Sequence, residues 1–443
     1  MSTRDDVPVA LAPPPGVLEV ADRLERAGHA TWCVGGAVRD ALLGHPPLDW
    51  DLATTATTQE MQRIFRRSVP KGVEYGTLGI FDSHGVMHEV TTLRRDIRTD
   101  GRKAVVEFGA SLDDDLARRD FTINAIAYSP AHRTLHDPFG GRDDLARGVV
   151  RAVGDPATRM REDRLRALRA IRFAARFGFA LDAATWDAIV ASAPHLTRLS
   201  AERVREELDK TMEQVARPSG ALARWQASGA MAVLVPPLAE APAVRFATVD
   251  CLAVPSLAAR PQRGWLRVAA LWLDERPVVV DRALRALRYS NAQVRWTVEL
   301  AERWLPIGGE LRTALAEDQT PDDATIRRWA AVAGRTRLAP LLRLAAARFA
   351  AERAAGDVAP SPAAMRALYR RASRIAYRDP IEIADLAIDG GDLVRAGIAP
   401  GPELGRILAQ LLAVVIADPR ANDRARLLDL VRQLISTPSE SDV

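Results

Sequence analysis

Two adjacent glycines, Gly35 and Gly36, stand between the apolar segment 30–34 and the stretch Val38-Arg39-Asp40-Ala41-Leu42-Leu43-Gly44. Nine residues beyond Asp40 comes the first of two carboxylates one residue apart, Asp49 and Asp51. An apolar run this short reads as a strand, and the stretch after the glycines as a helical turn or two stopped by a glycine. The chain is thereby committed to the order strand, glycine turn, helix, carboxylate-bearing strand. Side chains alternate between the faces of a strand, so Asp49 and Asp51 are expected on the same side. Glycine lets backbone N–H groups reach phosphate oxygens without a Cβ in the way, and Arg39 adds a rigid fork of donors. Two carboxylates near phosphate oxygens suit Mg2+, which prefers oxygen ligands. These are the parts needed to hold a triphosphate and its metal ions.

Two common phosphate-binding designs are excluded, because the chain contains neither G-x-x-x-x-G-K-[ST] nor G-x-G-x-x-G. At 443 residues it exceeds what one core supports, so two to four domains are expected. A net charge of +4 is too small over this length to announce nucleic-acid binding by itself. Cys33 and Cys251 lie far apart, give no metal-binding spacing, and read as free buried thiols in a reducing compartment. The first residues lack a basic-then-apolar leader and no run of eighteen apolar residues occurs, so the expectation is a cytoplasmic protein with no membrane partner.

From about 16 to 148, segments such as Thr77-Leu78-Gly79-Ile80-Phe81 alternate as strands do, with turns such as Asp82-Ser83-His84-Gly85 between them. From about Glu162 onward the apolar period is helical. Further along the chain, VGGAVRDALLG and LDWDLATTAT are followed by HEVTTLRRD at 88–96, DDLARRDFTINAIAY at 114–128, DPFGGRDDL at 137–145, EDRLRALRAIRFAARFGF at 162–179 and ERVREELDK at 202–210. This ordered set, spanning about the first half of the chain, resembles the class II nucleotidyltransferases, the family of bacterial CCA-adding enzymes and poly(A) polymerases. The resemblance implies an α+β head with a polymerase-β-like mixed sheet, followed by all-α neck, body and tail domains. The expected boundaries are a mobile tail at 1–15, the head at 16–150, the neck at 151–215, the body at 216–350 and a tRNA-binding tail at 351–443. It also implies two Mg2+ ions, CTP and ATP as substrates, and the tRNA 3′ end as partner. A homodimer through the tail is compatible with it.

Site residues are assigned on the same basis. Asp49 and Asp51 are the catalytic carboxylates and metal ligands. Glu89 is a candidate third carboxylate, because on a strand it points away from His88 and Val90. Gly35, Gly36 and Arg39 are assigned to the phosphate and sugar end of the nucleotide, and Arg119 matches the family's nucleotide-binding arginine. Arg118 is left to pair with Asp114 or Asp115, Asn124 to act as a local cap, and Asp137 with Gly140-Gly141 to shape a turn. Asp163 and Arg166 stand three apart, hence one turn apart if both are helical. Ordinarily such a pair is a surface ion pair worth little. As a base reader, the carboxylate accepts from the exocyclic amine of cytosine or adenine while the guanidinium donates to the neighbouring ring nitrogen. Uracil and guanine present a carbonyl instead and leave a polar group unpaired. The resemblance adds Arg169 and Arg172 on following turns.

Within the family, the polar segment 95–104 resembles the flexible loop linked to adenine addition, and the stretch 383–405 resembles the tail of CCA-adding enzymes of the Bacillus type. The expectation is therefore CCA addition. The alternatives are a poly(A) polymerase, an A-adding enzyme, or a catalytically silent RNA-binding relative. In the body, Trp265, Trp272, Trp296, Trp304 and Trp329 read as core rather than as base-stacking platforms. Arg282, Arg285 and Arg288 read as a solvated face.

Overall fold

A computed structural model describes residues 11–47, 49–99, 104–253, 262–316 and 319–436. It contains a helix the alternation did not announce, Pro15–Arg26 (α1). Then follow Thr31–Val34 (β1), Gly36–Leu42 (α2), Asp51–Thr54 (β2), Thr58–Ile64 (α3), Ser68–Gly72 (β3), Thr77–Phe81 (β4) and Met87–Thr92 (β5). Arg94–Thr99 (β6), Ala104–Phe108 (β7), Leu112–Ala117 (α4), Ala127–Ser129 (β8), Thr134–His136 (β9), Gly141–Arg147 (α5) and Val149–Val150 (β10) complete the mixed part. The order strand, glycine turn, helix, strand is present, with one difference: Asp49 precedes β2 rather than lying in it. Of the expected mobile segment 1–15, residues 1–10 lie outside the described residues. Leu11 is buried and Pro15 already opens α1.

One seven-stranded sheet has the order β3-β4-β5-β2-β1-β8-β9. Its register positions the site. Val34 of β1 pairs with Asp51 across an antiparallel ladder, so the chain leaves β1 into Gly35 directly beside Asp51. β2 and β5 run parallel with Leu52 opposite Val90, which puts Glu89 next to Asp51. Leu52 and Val90 are wholly buried, whereas Asp51 and Glu89 lie on the solvent side. Period two thus separates an apolar underside from a carboxylate-bearing upper face. Residues 95–99 and 104 of the segment 95–104 are more regular than a loop, since β6 and β7 form a two-stranded antiparallel ribbon; residues 100–103 lie outside the described residues.

Helices then dominate: Pro156–Glu162 (α6), Leu165–Phe177 (α7), Ala183–Ser192 (α8) and Ala201–Gln214 (α9), with Ala180–Leu181 (β11) pairing with β10. The remainder comprises Ser219–Ala227 (α10), Ala230–Leu234 (α11), Ala243–Asp250 (α12), Gln262–Ala270 (α13), Pro277–Ala286 (α14) and Asn291–Ala314 (α15). It ends with Asp323–Ala333 (α16), Arg335–Ala354 (α17), Pro362–Arg378 (α18), Gly390–Arg395 (α19), Pro402–Ala417 (α20) and Arg424–Ser436 (α21). Contacts divide the chain into two compact units. The first holds the residues through Thr211 and Gly220–Ala239, and the second holds Met212–Ser219 and the residues from Glu240 onward.

Trp272, Trp304 and Trp329 are buried, while Trp265 and Trp296 are half-buried. Arg282, Arg285 and Arg288 are exposed. Both cysteines are free, but only Cys33 is buried; burial pushes its thiol up to about 12. Cys251, expected to be buried, is exposed just beyond the end of α12. Among the described residues no helix is long and apolar enough to cross a membrane.

α1 lies against the sheet where Gly16 meets Asp82, whose Oδ2 is 3.0 Å from His88 Nε2. A Cβ on Gly16 would stand 1.9 Å from that carboxylate oxygen. Gly16→Ala should therefore displace α1 or break the Asp82–His88 contact, lowering stability in chemical denaturation by ~1–3 kcal/mol, the usual cost of overpacking.

Candidate active site

The carboxylate face gathers Asp51, Glu89, Gly35 and Arg119. Gly35 has φ of 78°, a left-handed conformation that glycine adopts freely, and it brings the main chain close to two charged groups. A Cβ there would stand 3.0 Å from Arg119 Nη1 and 4.0 Å from Asp51 Oδ2. Gly36 follows as the first residue of α2. Arg119 donates through Nη2 to Asp115 at 3.2 Å and through Nη1 to the Asn124 carbonyl at 3.5 Å. Its Nε is buried with no hydrogen-bond partner among the described residues.

The carboxyl of Asp51 is pushed up to about 6. Desolvation within the cleft is the main cause, followed by the charge of Glu89; Arg119 opposes them, and Asp49 adds a smaller push in the same direction as Glu89. The residue as a whole still reaches solvent, as a ligand to a metal or substrate must. Lys71 Nζ approaches Glu89 at 4.0 Å, an exposed pair of small energetic weight. Among the described residues no three His, Cys, Asp or Glu side chains are arranged to hold a metal ion by themselves. Crowded carboxylates without a full cage nevertheless fit Mg2+, which is commonly held by one or two carboxylates together with substrate phosphates and water.

The segment with Asp163 and Arg166, expected to read the base, differs from the helix that spacing suggested. α6 ends at Glu162, Asp163 adopts extended φ and ψ of −148° and 105°, and α7 begins at Leu165. Asp163 and Arg166 therefore flank a break instead of sharing a helix face. Asp163 Oδ1 accepts the Leu165 N–H at 3.0 Å, and its Oδ2 accepts from Arg203 Nη2 at 2.7 Å. Arg166 donates to Glu162 Oε2 at 2.8 Å, to the Arg159 carbonyl at 3.2 Å and to the Arg118 carbonyl at 2.8 Å. Neither member of the pair is bonded to the other. Arg203 on α9 was not singled out in the sequence, although it lies within ERVREELDK; a partner forty residues away leaves no spacing signal.

Three assigned arginines meet around one ring. The guanidinium groups of Arg39, Arg169 and Arg172 lie 5.0, 5.3 and 4.4 Å from the Phe173 centroid. Arg39 is 4% exposed and donates to Asp40 at 2.8 Å and to Asn124 at 2.5 Å. Asn124 is more than a local cap: its Nδ2 donates to Asp120 at 2.8 Å, and Asp120 also takes Arg169 Nε at 2.9 Å. Arg172 is bound to the buried Glu207 at 2.7 Å. Arg39 and Arg172 are thus committed to carboxylates inside the protein, whereas Arg169 keeps part of its surface exposed. Arg118 pairs with Asp115 at 2.7 Å, and Asp137 accepts the N–H groups of Gly141 and Arg142, closing the turn that starts α5.

A mixed sheet whose upper face sets paired carboxylates beside a glycine turn and an arginine is the head of a nucleotidyltransferase. The family model for the poly A polymerase head domain matches residues 31–151. The models for the probable RNA and SrmB-binding site of polymerase A and for tRNA nucleotidyltransferase domain 2 match 178–241 and 363–431. The chain is 33% identical to the CCA-adding enzyme of Limosilactobacillus fermentum over 94% of its own length and 96% of that protein. It is 31% identical to the crystallised Bacillus stearothermophilus CCA-adding enzyme in complex with CTP, with a TM-score of 0.71 over 96% of this chain and 98% of the other. The Thermotoga maritima CCA-adding enzyme complexed with tRNA shares the fold, with 22% identity and a TM-score of 0.67 over 98% and 100% of the two chains. The chain belongs to the family of CCA-adding enzymes.

Breaking the buried Arg172–Glu207 pair by Glu207→Ala leaves a guanidinium uncompensated. The loss should be ~3–5 kcal/mol in chemical denaturation. Asp51 yields a pH prediction. Its raised folded pKa means that between about 4, the ordinary carboxylate value, and about 6 the folded chain keeps a proton the unfolded chain releases, so this group's contribution to stability falls as pH rises through that window. For the metal ligand that the sequence predicts, the sense is opposite: below about 6 the carboxylate is lost, and Mg2+ affinity would fall about tenfold per pH unit. Glu89→Gln removes a like charge and should move the Asp51 midpoint to lower pH, measured by NMR titration of the carboxyl carbon.

Proposed function

We propose that this chain is a template-independent CCA-adding enzyme that adds C, C and A from CTP and ATP to the 3′ end of tRNA. The observation that carries the reading is the register of β1, β2 and β5, which sets Asp51 and Glu89 side by side on the open face next to Gly35 and Arg119. In each addition the RNA 3′-oxygen bonds to the α-phosphorus, the bond from that phosphorus to the bridging oxygen breaks, and pyrophosphate leaves. Asp49, Asp51 and Glu89 would hold Mg2+, which lowers the cost of forming the alkoxide and neutralises charge on the phosphates.

The chain's own groups do the remaining work. Arg119, whose Nη1 lies beside Gly35, donates to the triphosphate, and the main chain at Gly35 and Gly36 approaches the same oxygens without a side chain between. Asp163 accepts from the exocyclic amine of the base and Arg166 donates to the ring nitrogen beside it. Both already hold partners, so base binding exchanges Arg203 and Glu162 contacts for contacts to the nucleotide. Arg203 is a positioning residue for Asp163. Arg39, Arg169 and Arg172 support this surface through Phe173, Asp120 and Glu207.

The test is primer extension on tRNA transcripts ending before CCA, after one C and after CC, with each nucleoside triphosphate alone and together. Addition of C, C and A followed by arrest is expected. A-only addition to the CC end, or long A tails, overturns the reading. Asp51→Ala should abolish extension while RNA binding persists. Arg203→Ala should narrow the preference for CTP over UTP on the order of tenfold or more through kcat/KM, with Arg203→Lys restoring part of it; unchanged discrimination removes Arg203 from the mechanism.

A further inference from the structure

Two arginines from α6 and α7 close the C-terminal end of α4. The carbonyl of Ala117 accepts from Arg159 Nη1 at 2.9 Å, and the carbonyl of Arg118 accepts from Arg166 Nη2 at 2.8 Å. Carbonyls at the end of a helix lack partners within it, and cations there are favoured by the helix dipole. The second of these carbonyls belongs to the peptide group whose nitrogen is that of Arg119. A peptide group is planar, so the Arg166 guanidinium holds the plane from which Arg119 departs.

Asp115, in the same short helix, is wholly buried. Its Oδ1 accepts from Arg118 Nε at 3.0 Å and Nη2 at 2.7 Å, and its Oδ2 accepts from Arg119 Nη2 at 3.2 Å. Hydrogen bonds between charged partners are usually about 2.7–2.9 Å long, so Asp115 grips Arg118 closely and Arg119 loosely. The other hydrogen bond of the Arg119 side chain among the described residues, to the Asn124 carbonyl, is longer still at 3.5 Å. Closed to solvent, Asp115 can act on a bound nucleotide only through Arg119. The arginine assigned to the base and the arginine assigned to the phosphates are thus joined by one peptide group, within the first unit.

We propose that Asp115 is a positioning residue for Arg119, and that the Arg118–Arg119 peptide couples the choice of base at Arg166 to the grip on the triphosphate. Cytosine N3 and adenine N1 are acceptors. A guanidinium has five N–H donors, so Arg166 can serve either one and still hold the Arg118 carbonyl. Uracil N3–H and guanine N1–H are donors and turn the guanidinium away, which releases the carbonyl and leaves Arg119 out of line with the phosphates. A wrong base is therefore penalised twice, once at its own edge and once at the triphosphate. The proposal rests on the functional reading above and adds how the two ends of its nucleotide site act together.

The experiment uses the full chain and a saturating tRNA transcript ending before CCA, with kcat and KM measured for CTP and for UTP. Asp115→Asn combined with Arg118→Met removes one buried cation together with the anion it pairs with, which keeps the local charge balance. Thermal melting checks that the variant is folded, and if it melts below the assay temperature, Asp115→Asn alone is read in the same way. kcat/KM for CTP should fall on the order of tenfold or more and that for UTP by less, so the preference for CTP narrows about fivefold or more although neither altered side chain touches the base. Arg118→Met alone leaves Asp115 to Arg119 and should keep the preference. Arg166→Ala should cost the double variant less than it costs the wild type, as coupled sites require. An equal fall for CTP and UTP, or additive losses with Arg166→Ala, overturns the coupling and leaves the functional reading standing. Failure of the wild-type chain to extend the transcript with CTP overturns both.

Discussion

Phe173 and the guanidinium groups around it are the constraint on which the first unit depends. Arg39 comes from the helix behind the glycine turn, Arg169 and Arg172 from α7, and their carboxylate partners from α2, the loop ahead of β8 and α9. A buried guanidinium left without an acceptor is expensive, so each one fixes the element that supplies its partner. The chain of contacts runs from Asp40 through Arg39, Asn124, Asp120 and Arg169 toward Glu207 and Arg172. It joins the sheet-bearing part to α7, which carries Arg166 and follows the break at Asp163. The groups proposed to choose the base and those proposed to hold the phosphates are thereby parts of one compact unit.

The carboxylate face stores electrostatic tension of a useful kind. Asp51 and Glu89 are brought together by backbone pairing, which continues on either side of them through wholly buried neighbours. Desolvation in the cleft is the main reason the Asp51 carboxyl is raised, and the charge of Glu89, which the ladder holds in place, adds to it. The cation proposed to bind there would relieve that tension, the carboxylates having been placed in advance by backbone pairing. Gly35 belongs to the same device, because any side chain there would occupy the space between Asp51 and Arg119.

The second unit is organised differently. Its C-terminal helices close over their own core of Ile388, Leu393, Ile407, Leu411 and Val431. Arg327 reaches the carbonyl of Ile416, and Arg335 pairs with Asp385, so guanidinium groups tie its helices together as they do in the first unit.

Local patterning in the chain was sufficient for β1, the glycine turn, β2, β4, the helical character beyond Glu162, and the choice of Asp51 and Glu89 as candidate carboxylates, but not for Asp49, which was expected on the same strand face as Asp51 and precedes β2. Those features depend on side-chain period and on glycine, which act over a few residues. Motif order along the chain was sufficient for the family. What neighbours in sequence cannot encode is who meets whom across the fold. The break at Asp163 depends on an N-terminal cap to α7 and on Arg203, forty residues away. The burial of Arg39 depends on Asn124, Phe173 and Phe177. The exposure of Cys251 follows from where α12 ends. Sequence by itself determined the elements, the family and the list of chemically able residues. Only tertiary structure decided which of those residues keep a free donor or acceptor, because that depends on the partner each finds when distant segments pack.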